Sequence, residues 1–192
     1  MLTNKVKNAI ILHGTMGSPT ENWFPWLKTH LEERKINVWL PQLPDSQKPD
    51  PKTVIPFILD HCPFHITSET IIIGHSSGAV QILHLLPKIE AKIALAILVG
   101  SFKNNDFLKW APNDDLFSAP FDFVKCRLHC HKTIFIHSDD DPFCPLDEAE
   151  FLRNQTGGEL VVIPHQKHFS VSTMGEQYKE FPPLLEIITA NV

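Results

Sequence analysis

The segment Gly74-His75-Ser76-Ser77-Gly78 sets a serine between two glycines, directly after Ile71-Ile72-Ile73 and directly before an apolar run from Ala79 to Leu86. The isoleucines read as a buried strand and the run after them as a helix, so Ser76 falls on the tight turn that joins the two. On such a corner the hydroxyl is exposed, and the glycines let strand and helix approach without a Cβ clash. A serine hydroxyl becomes a nucleophile when a base takes its proton and a carboxylate holds that base in the right tautomer. Downstream, Asp139-Asp140-Asp141 supplies carboxylates and Pro164-His165-Gln166-Lys167-His168 supplies imidazoles. Ser76, Asp141 and His168 are the expected nucleophile, acid and base, with Asp140 and His165 as rivals for the last two roles. His165 is the weaker base candidate because it lies where the chain has only just left a strand. Attack on a carbonyl creates an oxyanion that needs donors. The backbone N–H of Ser77, at the helix start, and that of Thr15, in His13-Gly14-Thr15-Met16-Gly17, are the expected pair.

Elements must bring these separated residues together. Residues 6 to 12 read as a first strand, and Trp23, Trp26, Leu27 and Leu31 recur at helical spacing over about 22 to 34. Residues 36 to 40 form a second strand, and Pro41 to Pro51 reads as a stiff loop rather than part of an active-site rim. Thr53 is placed to cap a helix through Leu59 that Pro63 ends; the strand and helix around Ser76 follow, the helix ending at Pro87. Ile93 to Val99 is a fourth strand, Lys132 to His137 a fifth and Leu160 to Ile163 a sixth. Between the last two, a helix over 146 to 155 stops at Gly157-Gly158. Thr173 and Glu176 suggest a capping box for a final helix, interrupted at Pro182-Pro183 and resumed over Leu184 to Thr189.

Alternating strands and helices imply a three-layer α/β/α sandwich around a parallel, doubly wound sheet of order 2-1-3-4-5-6. The topological switch then falls between strands one and three, where the His13 loop and Ser76 both emerge, and ligands bind at such a point. Gly100 to His131 leaves little length for a lid once a crossover helix is placed. Its aromatics, Phe102, Phe107, Trp110, Phe117, Phe121 and Phe123, would edge a small rim. No large cap is expected.

The 192 residues suit one domain spanning 1–192. Apolar content of 43%, charged content of 20% and a net charge of -5 give no reason to expect nucleic acid or an anionic membrane as partner. The run Ala9-Ile10-Ile11-Leu12, broken at His13-Gly14, is too short for a signal peptide. Cytoplasmic residence is the expectation, with Cys62, Cys126, Cys130 and Cys144 as thiols. No cofactor and no metal are expected for the reaction.

The chain order Ser76, Asp141, His168 resembles that of the α/β-hydrolases, a superfamily of serine nucleophiles. Asp141-Pro142-Phe143-Cys144-Pro145 is similar to the D-x-x-[VL]-P acid loop of that fold, with Cys144 at the valine or leucine position. His168-Phe169 is similar to the G-H-F base loop, with Lys167 in place of glycine. His13-Gly14 resembles the loop that supplies an oxyanion donor. More narrowly, Thr70 to Ala79, Asp140 to Pro145, His168-Phe169 and Trp23 to Leu27 resemble the small serine hydrolases of the retinoblastoma-binding protein 9 and YdeN type, over essentially the whole chain. That resemblance implies a compact hydrolase acting on small esters or amides, with Ser76, Asp141 and His168 as its triad. The L-x-C-x-E motif of retinoblastoma-pocket ligands is absent, since Leu128-His129-Cys130-His131 is followed by Lys132.

Carboxylesterase ranks first, because a chain without room for a lid suits small or accessible acyl groups; thioesterase, amidase and peptidase share the same triad. Two readings from other classes stand beside it. One is a non-catalytic interaction protein on the hydrolase fold. The other is a metal site from Cys126, His129, Cys130 and His131, with His61, Cys62 and His65 as outside ligands. It lacks paired C-x₂-C spacing, and Cys126 and Cys130 fit one helix face.

Overall fold

The computed structural model describes residues 6–104 and 114–192. Six strands form one sheet: β1 (Asn8–Leu12), β2 (Asn37–Trp39), β3 (Thr70–His75), β4 (Ile93–Val99), β5 (Cys130–His137) and β6 (Glu159–Val162). Their order is β2-β1-β3-β4-β5-β6, as the strand and helix alternation implied, and every neighbouring pair is parallel. Both sheet faces are covered, which is why the central strands are continuously apolar instead of alternating. Ile11, Ile71, Ile73, Leu95 and Ile97 point to one face, against Trp23, Phe24 and Leu27 of the first helical segment and Leu184 and Ile188 of the last. Ile10, Leu12, Ile72, Ala96 and Leu98 point to the other, against Val54, Ile58, Ile82, Leu83 and Leu152. Each such side chain contributes about 1.5–3 kcal/mol by leaving water.

The helices are α1 (Phe24–Glu33), α2 (Pro51–His61), α3 (Ser77–Leu85), α4 (Phe123–Leu128), α5 (Leu146–Thr156), α6 (Val171–Met174) and α7 (Pro182–Asn191). Two local expectations are corrected. Thr53 does not cap α2: Asp50 does, its carboxylate accepting from Lys52 N–H at 2.9 Å, with Pro51 in the first turn where its missing N–H costs nothing. Thr173 and Glu176 form no capping box. Thr173 lies inside the one-turn α6, its hydroxyl donating to the Ser170 carbonyl at 3.2 Å, and Gly175 at φ 86° ends that turn before the chain reaches α7. α5 ends as its sequence implied, on Gly157 in the left-handed conformation.

The long connection after β4 carries, among its described residues, a single 3₁₀ turn (Asp114–Phe117) and the short α4. Phe107 and Trp110 of the expected aromatic rim lie outside the described residues. Phe102, Phe117 and Phe121 do pack edge to edge, at centroid distances of 5.6 Å and 6.1 Å.

Candidate functional site

Ser76 stands between β3 and α3 with φ 57° and ψ -126°, a backbone that L residues seldom adopt. The turn holds it there. Its N–H donates to the Val99 carbonyl at 2.8 Å, and its own carbonyl accepts from Ala79 N–H at 2.9 Å. The two motif glycines are close-approach positions: a Cβ on Gly74 would lie 2.5 Å from the Gly78 carbonyl oxygen, and one on Gly78 would lie 2.4 Å from those of Leu12 and His13. α3 therefore packs directly on the ends of β3 and β1.

The loop after β1 passes beside the same serine; a Cβ on Gly14 would come within 2.8 Å of that of Ser76. Met16 N–H is committed to the Ser46 carbonyl at 2.7 Å and Gly17 N–H to the Gly14 carbonyl at 3.0 Å. Thr15 N–H has no acceptor among the described residues. Ser77 N–H, at the first position of α3, has no intrahelical partner by geometry.

The three consecutive aspartates separate into three environments. Asp139 Oδ1 accepts from His165 N–H at 2.8 Å. Asp140 accepts from Ser138 Oγ and from Lys167 N–H, both at 2.8 Å, and its second oxygen lies 2.8 Å from Lys167 Nζ; this lysine holds its carboxyl down at about 2. Asp141 Oδ2 meets His168 Nδ1 at 2.7 Å, with its side chain fully buried, while Oδ1 accepts from Phe143 and Cys144 N–H at 2.9 and 3.0 Å. His168 is 6% exposed, whereas the His165 side chain is 82% exposed. Asp141 and His168 are thus brought together, and Asp140 and His165 are not part of that contact.

Ser76 and His168 line one cavity of about 840 Å³, with Thr15, Met16, Phe102 and Phe143 also on its wall. They are not hydrogen-bonded to each other here: neither Ser76 Oγ nor His168 Nε2 has a partner among the described residues. Such a contact is often loose without substrate and closes in the Michaelis complex.

Three further residues serve the site, and only their position at the ends of apolar strand runs could have marked them. His13 follows β1, fully buried. Its Nδ1 bonds the Gly14 carbonyl at 3.0 Å, leaving Nε2 to accept from Leu43 N–H at 2.9 Å. His75 ends β3; its Nε2–H donates to the His168 carbonyl at 2.8 Å, and the two rings lie 4.8 Å apart. Burial, reinforced by the His168 cation, pushes His75 down to about 3. His137 ends β5 and its Nε2–H donates to the Cys144 carbonyl at 2.6 Å; burial lowers its pKa also. Each imidazole ties down one loop of the site. The Leu43 and Ser46 bonds also correct the stiff-loop reading of Pro41 to Pro51: this connection clamps the Thr15 loop from behind.

The expected metal-ligand group at Cys126 and Cys130 is not assembled. Cys126 sits in α4 with Sγ–H on the Leu83 carbonyl, and Cys130 opens β5 with Sγ–H on the Lys132 carbonyl, so the two do not share a helix face. Among the described residues no helix is long and apolar enough to cross a membrane.

Residues 9–188 match the model of a family described as Serine hydrolase. The chain belongs to the serine hydrolase family. Rat serine hydrolase RBBP9 is 27% identical over 94% of this chain and 92% of its own length, and the putative hydrolase YdeN of Bacillus subtilis is 26% identical over 96% and 95%. The resemblance drawn from the motifs is borne out. The crystal structure of the B. subtilis ydeN gene product superposes with a TM-score of 0.83 at 24% identity, covering 97% of this chain and 98% of that one. Est1E of Butyrivibrio proteoclasticus, solved with ferulic acid, gives 0.68 at 15% identity over 96% and 90%. At those identities the superpositions establish the fold of this serine hydrolase and nothing finer.

Proposed function

We propose that this serine hydrolase cleaves small carboxylic esters through an acyl-enzyme on Ser76, with His168 as base and Asp141 as the carboxylate that orients it. The observation that carries the reading is the 2.7 Å contact between His168 Nδ1 and the buried Asp141 carboxylate, in a cavity that Ser76 also lines. A carboxylate at Nδ1 fixes the proton there and leaves Nε2 as the basic nitrogen. In the first step Ser76 Oγ attacks the ester carbonyl carbon and its proton moves to His168 Nε2. The carbonyl π pair shifts to oxygen, and the resulting oxyanion accepts from the N–H groups of Ser77 and Thr15. Collapse restores the carbonyl and expels the alkoxide, which takes the proton from His168. Water then repeats the sequence on the acyl-enzyme and frees Ser76.

Ester substrates rank first because the cavity has no inserted lid to enclose a long acyl chain. Thioester, amide and peptide substrates would use the same groups, and a cytoplasmic protein of a single domain is the setting we infer. The test is labelling by a fluorophosphonate probe, read by intact mass, together with p-nitrophenyl acetate turnover. One adduct on the wild type, lost in Ser76→Ala along with turnover, supports the proposal. A folded wild type that neither labels nor turns over overturns it and leaves a non-catalytic interaction protein as the better reading.

A further inference from the structure

The side chain of Cys144 has no part in the reaction above, yet it belongs to the site. A sulfur, an imidazole nitrogen and a carboxylate oxygen, offered by Cys144, His168 and Asp141, all lie within 4.8 Å of one another. Cys144 is held on both sides. Its N–H donates to Asp141 Oδ1 at 3.0 Å and its carbonyl accepts from His137 Nε2–H at 2.6 Å, so the sulfur is aimed without freedom to swing away. Its Sγ has no hydrogen-bond partner among the described residues. Cys144 and His168 both line the cavity that reaches solvent, which supplies an entry path.

We propose that Asp141, Cys144 and His168 form a binding site for a thiophilic divalent cation, zinc above all, whose occupancy shuts off Ser76. Zinc takes thiolate sulfur at about 2.3 Å and imidazole nitrogen or carboxylate oxygen at about 2.0–2.2 Å, usually with four ligands. Donors within 4.8 Å of each other reach those distances by small side-chain shifts, and water from the cavity completes the set. The mix of sulfur and nitrogen selects zinc or cadmium over magnesium and calcium, which demand oxygen shells. Without a cation, burial and the Asp141 charge keep the thiol protonated. Coordination expels that proton to solvent, and the thiolate charge is then balanced by the metal. The cation takes the Asp141 oxygen and a His168 ring nitrogen, so the Asp141-His168 pair can no longer relay the Ser76 proton. Cation binding stands on this geometry alone; the inhibition rests on the proposed role of His168.

The first readout does not involve turnover. Cobalt(II) added to the purified protein should give the near-ultraviolet charge-transfer band of a cobalt thiolate, at one ion per chain, displaced by zinc and absent in Cys144→Val. Zinc affinity, measured by competition with a chromogenic chelator, should fall about a hundredfold or more in that variant, beyond the cost of losing a mere outer partner of a ligand. Cys144→Ser, with a poor oxygen ligand at the same position, serves if Cys144→Val fails to fold. No thiolate band, or zinc bound equally tightly by the variant, overturns the site; the exposed group of Asp139, Asp140 and His165 would bind without such a band. Zinc should also abolish wild-type p-nitrophenyl acetate turnover, chelator should restore it, and whatever turnover Cys144→Val retains should need about a hundredfold more zinc. A band without inhibition removes the regulatory half alone. A band in a protein with no turnover or labelling retains the site and overturns the proposed function instead.

Discussion

Asp140 and Asp141 are chain neighbours with the same side chain, and their partners divide them. Asp140 is exposed and engaged by Lys167, so its carboxylate is balanced by a mobile ammonium. Asp141 is buried and engaged by His168 and two backbone N–H groups. Asp141→Asn keeps the shape but favours the wrong imidazole tautomer, and kcat for p-nitrophenyl acetate should fall by about 10⁴. Asp140→Asn removes a tether on the His168 loop and should cost less than about tenfold, a loss expected of an exposed ion pair. Equal losses would mean that the acid is misassigned. The histidines give the parallel test: His168→Ala should abolish phosphonate labelling at Ser76, and His165→Ala should leave its rate nearly unchanged.

At the level of elements, the site is made by strand ends and by the loops they release. α3 can approach β1 only because Gly78 has no side chain; Gly78→Ala sets a Cβ 2.4 Å from two backbone oxygens. Backbone cannot swing aside like a flexible side chain, so α3 must move. The variant should lose about 1–3 kcal/mol in urea unfolding and most of its kcat. The His75 ring links the end of β3 to the His168 loop. His75→Leu leaves the His168 carbonyl buried without a donor, which costs about 1–3 kcal/mol. With the base mispositioned and the cavity intact, kcat should fall while KM stays nearly constant. A rise in KM at constant kcat would assign His75 to substrate binding instead.

For the molecule as a whole, several histidines fold as neutral groups. His13, His75, His84 and His137 all have pKa values below the ordinary 6.5, in each case first through burial. The unfolded chain therefore binds more protons than the native state once pH drops below that value. Stability from these groups is fully present above about pH 6.5 and is lost as pH falls toward the lowest of them, His75 at about 3. Calorimetric Tm should be flat just above neutrality and decline steadily from pH 6.5 to 4. His75→Leu should show a shallower decline, measured against its own lower Tm. A Tm that rises on acidification would contradict neutral burial of the four rings.

Strand order, the turn at Ser76 and the aspartate and histidine opposite it could all be read from local pattern. The reason is that buried parallel strands must be apolar throughout and that a tight strand-to-helix turn admits few residues. Ile71-Ile72-Ile73 followed by a glycine-flanked serine meets both conditions within ten residues. Helix boundaries were less legible where two signals competed: Asp50 beside Pro51 outcompetes Thr53 as a cap, and Gly175 stops the turn that Thr173 seemed to start. What local pattern could not reach was the pairing of groups far apart in sequence. That Asp141 rather than Asp140 meets His168, that the prolines after β2 clamp the Thr15 loop, and that three histidines act as ties all depend on distances set by packing. A side chain's type limits what it can donate or accept, but only the tertiary fold decides which partner lies within 3 Å of it.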